Sequence, residues 1–220
     1  MKIDNLLKPL PANLLAEVSI TYIVAGGPSL RGFDFSRLND KTCIAINKSI
    51  FKLPNAYILW WSDARFYKMH KEQIDAHAAP FKVTGITKFQ SIQYPENIYI
   101  YSFSGHGGYD EETKYLKDGN NSGFAALSLS IKLGAKKIIL LGYDFKFDTN
   151  NRSHWHEGHF DERGQKIKHT PETFSKKMLP YFSSLVPKVN ELGVEIINAN
   201  PDSLLDLWPR RNLDEVLLEN

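Results

Sequence analysis

The segment His154-Trp155-His156-Glu157-Gly158-His159 places three imidazoles within six residues. Imidazole titrates near neutrality, so a histidine in a loop over a cleft suits general acid–base work, for which His159 is the candidate. A solvated surface loop ranks second. A zinc or related metal site ranks third: the spacings of two, three and five and nearby Asp161 allow it, but there is no i, i+4 histidine pair and no fourth soft ligand.

Short polar turns elsewhere carry the other chemistry. In Gly26-Gly27-Pro28-Ser29 the glycines let a phosphate or sugar approach the backbone, and Ser29 is placed to cap a following helix whose N–H groups face an anion. The third glycine of a dinucleotide fingerprint and the Gly-Lys-Ser/Thr ending of a P-loop are both missing, and a turn that merely starts a helix fits equally well. Asn121 or Ser122 is a natural N-cap, whereas Gly123 points to a ligand reaching the helix end. Asp144, after Gly142-Tyr143, is able to accept from ribose hydroxyls, to bind a metal with Asp148, or to cap its loop. Asn47-Lys48 and Ser62-Asp63 complete the set.

These turns follow apolar, β-branched runs at 19–25, 42–47, 57–61 and 136–142, with a last run at 194–198 and weaker ones at 81–84 and 98–101. Helix-like stretches lie between them: one after Asp63 to about residue 79, a buried one over 122–133 stopped by Gly134, and one over 173–192 that Pro180 and Pro187 must kink or split. The alternation predicts a single doubly wound, mostly parallel α/β domain of the Rossmann-like class over 1–220. Residues 145–171, polar and holding four of the seven histidines, break the pattern and read as a lid or acceptor-binding insertion. Open parallel sheets bind ligands at the carboxyl ends of their strands, where the polar turns fall.

Composition narrows the classes. Of 220 residues, 42% are hydrophobic and 24% charged, the balance of a globular chain, and a net charge of +2 gives no reason to expect a nucleic-acid partner. No apolar run reaches the roughly 18 residues of a membrane span, and the N-terminus lacks a signal-peptide core, so a cytoplasmic protein is expected. The single cysteine, Cys43, excludes an internal disulfide and a multi-cysteine zinc site. Trp60, Trp61 and the aromatic stretch 94–103 fit a core better than an oligomer interface, although an oligomer stays open. His106, in Gly105-His106-Gly107-Gly108, fits the acceptor side of a cleft or a plain loop.

Taken in order, Gly26-Gly27-Pro28-Ser29-Leu30, Asn47, Asn121-Ser122-Gly123, Leu133-Gly134, Gly142-Tyr143-Asp144-Phe145, Gly158-His159 and Pro201-Asp202-Ser203-Leu204-Leu205 resemble the bacterial sialyltransferases of glycosyltransferase family 42. The wider group includes the MptE-like hydroxymethylpterin pyrophosphokinases. The resemblance spans about residues 18–207. It implies an inverting, base-assisted transfer of an acidic sugar, such as sialic acid, from a cytidine monophosphate donor to a glycan hydroxyl, with no required cofactor. It further implies that Gly26, Gly27, Pro28, Ser29, Asn47, Asn121, Ser122 and Gly123 hold the nucleotide beside Asp144, and that His159 is the base. Lys146 stands where the family has a tyrosine on the leaving phosphate, so it inherits that place as a cation. The family's arginine before its Thr-Ser-Gly falls on Gly119-Asn120 and is unmatched. Two alternatives remain: a pyrophosphokinase using Mg2+ gathered by Asp144, Asp148 and histidines, and a non-catalytic nucleotide-binding module.

Overall fold

The computed structural model describes residues 6–87, 93–158, 160 and 164–219. Eight strands form one sheet: β1 (Thr21–Val24), β2 (Thr42–Ile46), β3 (Ile58–Trp61), β4 (Phe81–Ile86), β5 (Ile98–Phe103), β6 (Tyr115–Leu116), β7 (Lys137–Leu141) and β8 (Glu195–Asn198). Their spatial order is β6-β5-β4-β3-β2-β1-β7-β8, and every neighbouring pair runs parallel. The chain winds outward from β1 through β2, then returns to the other side of β1 as β7. The switch point therefore lies between β1 and β7.

Both faces of the sheet are buried, which explains the near-continuous apolar runs. Ile23, Ile44, Trp60, Ile138 and Leu140 face one core. Tyr22, Cys43, Leu59, Trp61 and Ile139 face the other. Trp60 and Trp61 are fully buried on opposite faces, core residues as their strand pattern requires. The Cys43 thiol is enclosed in mid-sheet, and burial pushes it up to about 12.

Helix α1 (Ala64–Ala76) lays Phe66, Tyr67 and Ile74 on the second core, with the Asp63 carboxylate capping its first turn through the Arg65 N–H. Helix α2 (Ser122–Lys132) has no polar face: Phe124 to Ile131 are all buried. A helix apolar all round must be covered on all sides. The sheet covers one side, and the segment carrying Phe182, Leu185 and Val189 covers another, with the Phe124 and Phe182 rings 5.3 Å apart.

That covering segment is split as its prolines require. A π turn (Thr173–Met178) leads into α3 (Leu179–Phe182), a 3-10 turn (Ser183–Leu185) and α4 (Val186–Glu191). Pro180 and Pro187 each sit in the first turn of a short helix, where a missing N–H costs no bond. A short α5 (Leu213–Leu218) ends the fold. The helix expected after β1 is absent: the chain makes a 3-10 turn over Pro28–Leu30, and Ser29 caps nothing. Among the described residues no helix is long and apolar enough to cross a membrane.

Candidate functional site

The carboxyl ends of β1, β2, β3 and β7 surround a cleft of about 670 Å³. Gly26, Gly27, Asn47, Asn121, Ser122, Gly123 and Asp144 all line it, so turns distant in sequence converge as the sequence predicts. Pro28, Ser29 and Lys146 do not line it. For Lys146 the local cause is Phe145, whose φ of 53° turns the chain. The Phe145 ring takes the cleft-facing place and packs 5.2 Å from Phe182. His159, to which the base role falls by resemblance, and Asp161 lie outside the described residues.

Ser122, the first residue of α2, is the hub. Its hydroxyl lies 2.6 Å from Ser62 Oγ and accepts from Asn47 Nδ2 at 3.4 Å, while its carbonyl accepts from Trp60 Nε1 at 3.0 Å. The β7 end joins through the Tyr143 hydroxyl, which donates to the Gly123 carbonyl at 2.9 Å. Full burial holds that phenol well above its usual range, so it stays a donor. Asn121 caps α2, its side-chain oxygen accepting from the Phe124 N–H at 2.8 Å. The Ser122 and Gly123 N–H groups, at the first two helical positions, have no acceptor within the helix and face the cleft end. A Cβ on Gly123 would lie 3.0 Å from the Tyr143 ring. The Tyr143 ring thus crowds this position, beside the ligand that the sequence suggested for the glycine.

Asn47 adopts a φ of 50°, in the left-handed region that asparagine tolerates better than most residues. Its side-chain oxygen is enclosed and unpartnered among the described residues. A buried acceptor without a donor is costly unless a ligand supplies one.

Asp144 is used differently. It is 2% exposed, and its carboxylate accepts three bonds of 2.6 Å, from the Ser29 N–H, the Ser29 hydroxyl and Asn200 Nδ2. Its carbonyl takes the Leu204 N–H at 3.0 Å. The Gly27 N–H donates to the Gly142 carbonyl at 2.9 Å. The crevice between β1 and β7 is therefore pinned shut by protein groups, and a Cβ on Gly27 would meet Gly142 O at 2.4 Å and Asp144 Oδ2 at 2.5 Å. The turn's N–H groups at Gly27 and Ser29 are consumed by this seam rather than facing an anion.

Residues 153–156 border the cleft and are tacked down at Trp155. Its N–H donates to the Gly26 carbonyl at 3.0 Å and its indole to the Ala25 carbonyl at 3.3 Å. His154, His156 and His169 line the cleft on this side. Burial lowers the His169 pKa, so it is neutral near pH 7. Among the described residues, no group of three or more His, Cys, Asp or Glu is arranged to hold a metal. Phe66, Met69 and His70 of α1 form an outer apolar wall. His70 is also held low, by burial and then by Lys48. Sequence reasoning missed that wall and Asn200, and counted His169 among the insertion's histidines without a role of its own. Asn200 follows the β8 run, so the same strand-end rule finds it; nothing local marks the others.

No family model and no curated protein matches the chain. Among solved structures, the sialyltransferase CstII from Campylobacter jejuni, in complex with a substrate analogue, cytidine-5'-monophosphate, superposes with a TM-score of 0.51 at 16% identity, over 88% of this chain and 85% of that one. The MAf glycosyltransferase from Magnetospirillum magneticum AMB-1 gives 0.55 at 13% identity, over 93% of this chain and 34% of that one. The chain thus has a glycosyltransferase-like fold and spans about a third of the second neighbour.

Proposed function

We propose that the chain is an inverting glycosyltransferase, moving an acidic sugar such as sialic acid from a cytidine monophosphate donor to a glycan hydroxyl. The observation that carries the reading is the meeting of strand-end turns on Ser122 and Gly123 beneath one cleft, beside the switch point of a glycosyltransferase-like sheet. A neighbour solved with cytidine-5'-monophosphate supports a nucleotide there. Asn47 and the first turn of α2 hold the nucleoside, offering an unpartnered acceptor and two backbone donors. Asp144 acts one step removed, fixing the turn that floors the site.

In the transfer, the acceptor oxygen attacks the anomeric carbon, the bond to the phosphate oxygen breaks, and the phosphate leaves with the bonding pair. The acceptor proton passes to a base, His159 in this reading. Hydrogen-bond donors aimed at the departing phosphate supply electrostatic support without a metal. Incubation with cytidine monophosphate-sialic acid or its keto-deoxy-octulosonate analogue should release free cytidine monophosphate. The His159→Ala variant should turn over about a hundredfold more slowly. Unchanged turnover removes His159 from the role. Activity abolished by chelation reassigns the cleft to a metal-dependent nucleotide-phosphate enzyme, and nucleotide stabilisation without product leaves a binding module.

A further inference from the structure

We infer that Lys48 is the anion-binding residue of the cleft, its ammonium taking the donor's negative charge, whether phosphate or sugar carboxylate. The inference deepens the donor reading above and takes only the identity of the ligand from it. The Ser122 and Gly123 N–H groups at the start of α2 carry partial positive charge, so a full cation is the group to look for. Among the described residues, the lysine and arginine side chains lining the cleft are those of Lys48 and Arg65. Arg65 is committed, its guanidinium reaching Asp63 Oδ2 at 2.6 Å and Oδ1 at 3.0 Å. The other lining carboxylates are occupied too. Asp144 is held by Ser29 and Asn200, and Asp118 by the Asn120 N–H at 2.9 Å and by His106 Nδ1 at 2.6 Å. Lys48 differs: among the described residues its ammonium makes no ion pair and no hydrogen bond, and meets the face of Phe160 at 5.5 Å from the ring centroid.

The backbone beneath this side chain is fixed. Lys48 follows Asn47 in a 3-10 turn (Asn47–Lys52) at the carboxyl end of β2. Both chain neighbours are tied down, Asn47 Nδ2 donating to Ser122 Oγ at 3.4 Å and Ser49 Oγ to the Ala25 carbonyl at 2.8 Å. The half-buried ammonium is thus presented to the cleft from a rigid base, one residue from the unpartnered Asn47 acceptor.

Its surroundings strengthen the charge rather than cancel it. Phe66, Met69 and Phe160 are apolar walls, and an ammonium attracts an anion more strongly where such walls exclude water. Phe160 orients the ammonium through its ring face and leaves it charged. His70 packs between Phe51 and Phe66, at 4.9 Å and 4.8 Å between ring centroids. Burial first, then the Lys48 charge, holds that imidazole neutral near pH 7, so the positive charge on this side of the cleft is that of Lys48.

Calorimetry of the whole protein with cytidine, cytidine monophosphate and cytidine monophosphate-sialic acid names the anion. Lys48→Gln should leave cytidine unaffected and weaken the anionic ligand about tenfold, and Lys48→Arg should restore most of the affinity. Loss already present with cytidine monophosphate makes phosphate the partner; loss confined to the sialic acid conjugate makes it the carboxylate. Sulfate tests the residue without any nucleotide, read through the His70 proton resonance against pH and assigned by His70→Gln. Sulfate and Lys48→Gln should each raise the His70 midpoint, because either removes the positive field, and sulfate should move it no further in the variant. Phe160→Leu should keep the sulfate response; losing it as fully as Lys48→Gln does would make Lys48 a latch for the insertion and overturn the assignment. Where a cytidine compound binds, wild-type affinities in Lys48→Gln overturn it and leave the nucleotide reading standing. Where none binds, a His70 midpoint unmoved by sulfate overturns it, whereas a Lys48-dependent response upholds Lys48 and sinks the cytidine reading instead.

Discussion

The seam between β1 and β7 and the wall around Ser122 are built from the same residue types, yet they do opposite things. In the seam, Asp144, Ser29, Asn200 and Gly27 bond one another until little is left for a ligand. On the wall, Asn47 and His169 keep enclosed atoms with no partner among the described residues. A buried polar group is either spent on the fold or held ready for something else, and only its partners tell which. The lesson is that small polar residues at strand ends identify the place where a site lies, while satisfaction of their hydrogen bonds separates rivet from receptor.

The largest expected effect breaks the seam. Asp144→Ala leaves the two Ser29 donors and the buried Asn200 amide without their acceptor, a loss of about 3 kcal/mol, or roughly 10 °C in Tm for a chain of this size. Thermal and urea unfolding measure it. A stable Asp144→Ala protein that had lost only nucleotide binding would move Asp144 to the receptor side. Gly27→Ala comes next. Its new methyl group meets backbone oxygen at 2.4 Å, and the expected cost is about 1–3 kcal/mol, read by the same unfolding curves.

Asn47→Gly sharpens the other half of the comparison. Glycine tolerates the positive φ, so stability should stay within about 0.5 kcal/mol of wild type. Nucleotide affinity, by calorimetry, should fall about tenfold as a buried acceptor disappears. A pH effect is the smallest. Burial holds His70, His77 and His169 below their usual value, so each takes up a proton on unfolding. Their contribution is complete above the unfolded value near 6.5 and declines as pH falls through it. Unfolding free energy measured by urea should thus be lower at pH 5 than at pH 7, and the His169→Gln variant should show a shallower decline.

Much of the sheet was legible because its strands are buried on both faces and read as unbroken apolar runs, as in β1, β3 and β7. Strand β6, two residues long, has no run to read. The helical stretch after residue 172 was legible in extent but not in form, since its prolines mark interruptions without saying which turn replaces each one. The convergence of Gly26, Asn47, Ser122 and Asp144 followed from the rule that parallel strands gather their carboxyl ends. What each does there did not. Asp144 meets Ser29 across 115 positions of chain, and no local pattern encodes that bond. Gly123 shows the same blindness, because the Tyr143 ring that crowds it arrives from the turn after β7.

Cys43 gives the molecule a clock of its own. The sole thiol sits between β1 and β3, 1% exposed and with burial raising it to about 12, so the reactive thiolate is almost absent while the sheet is closed. Alkylating reagents then register only those moments when the middle of the protein parts. Every variant carries this same unmodified timer, and a slowing of its rate by a bound molecule would report how far tightening at the strand ends propagates inward.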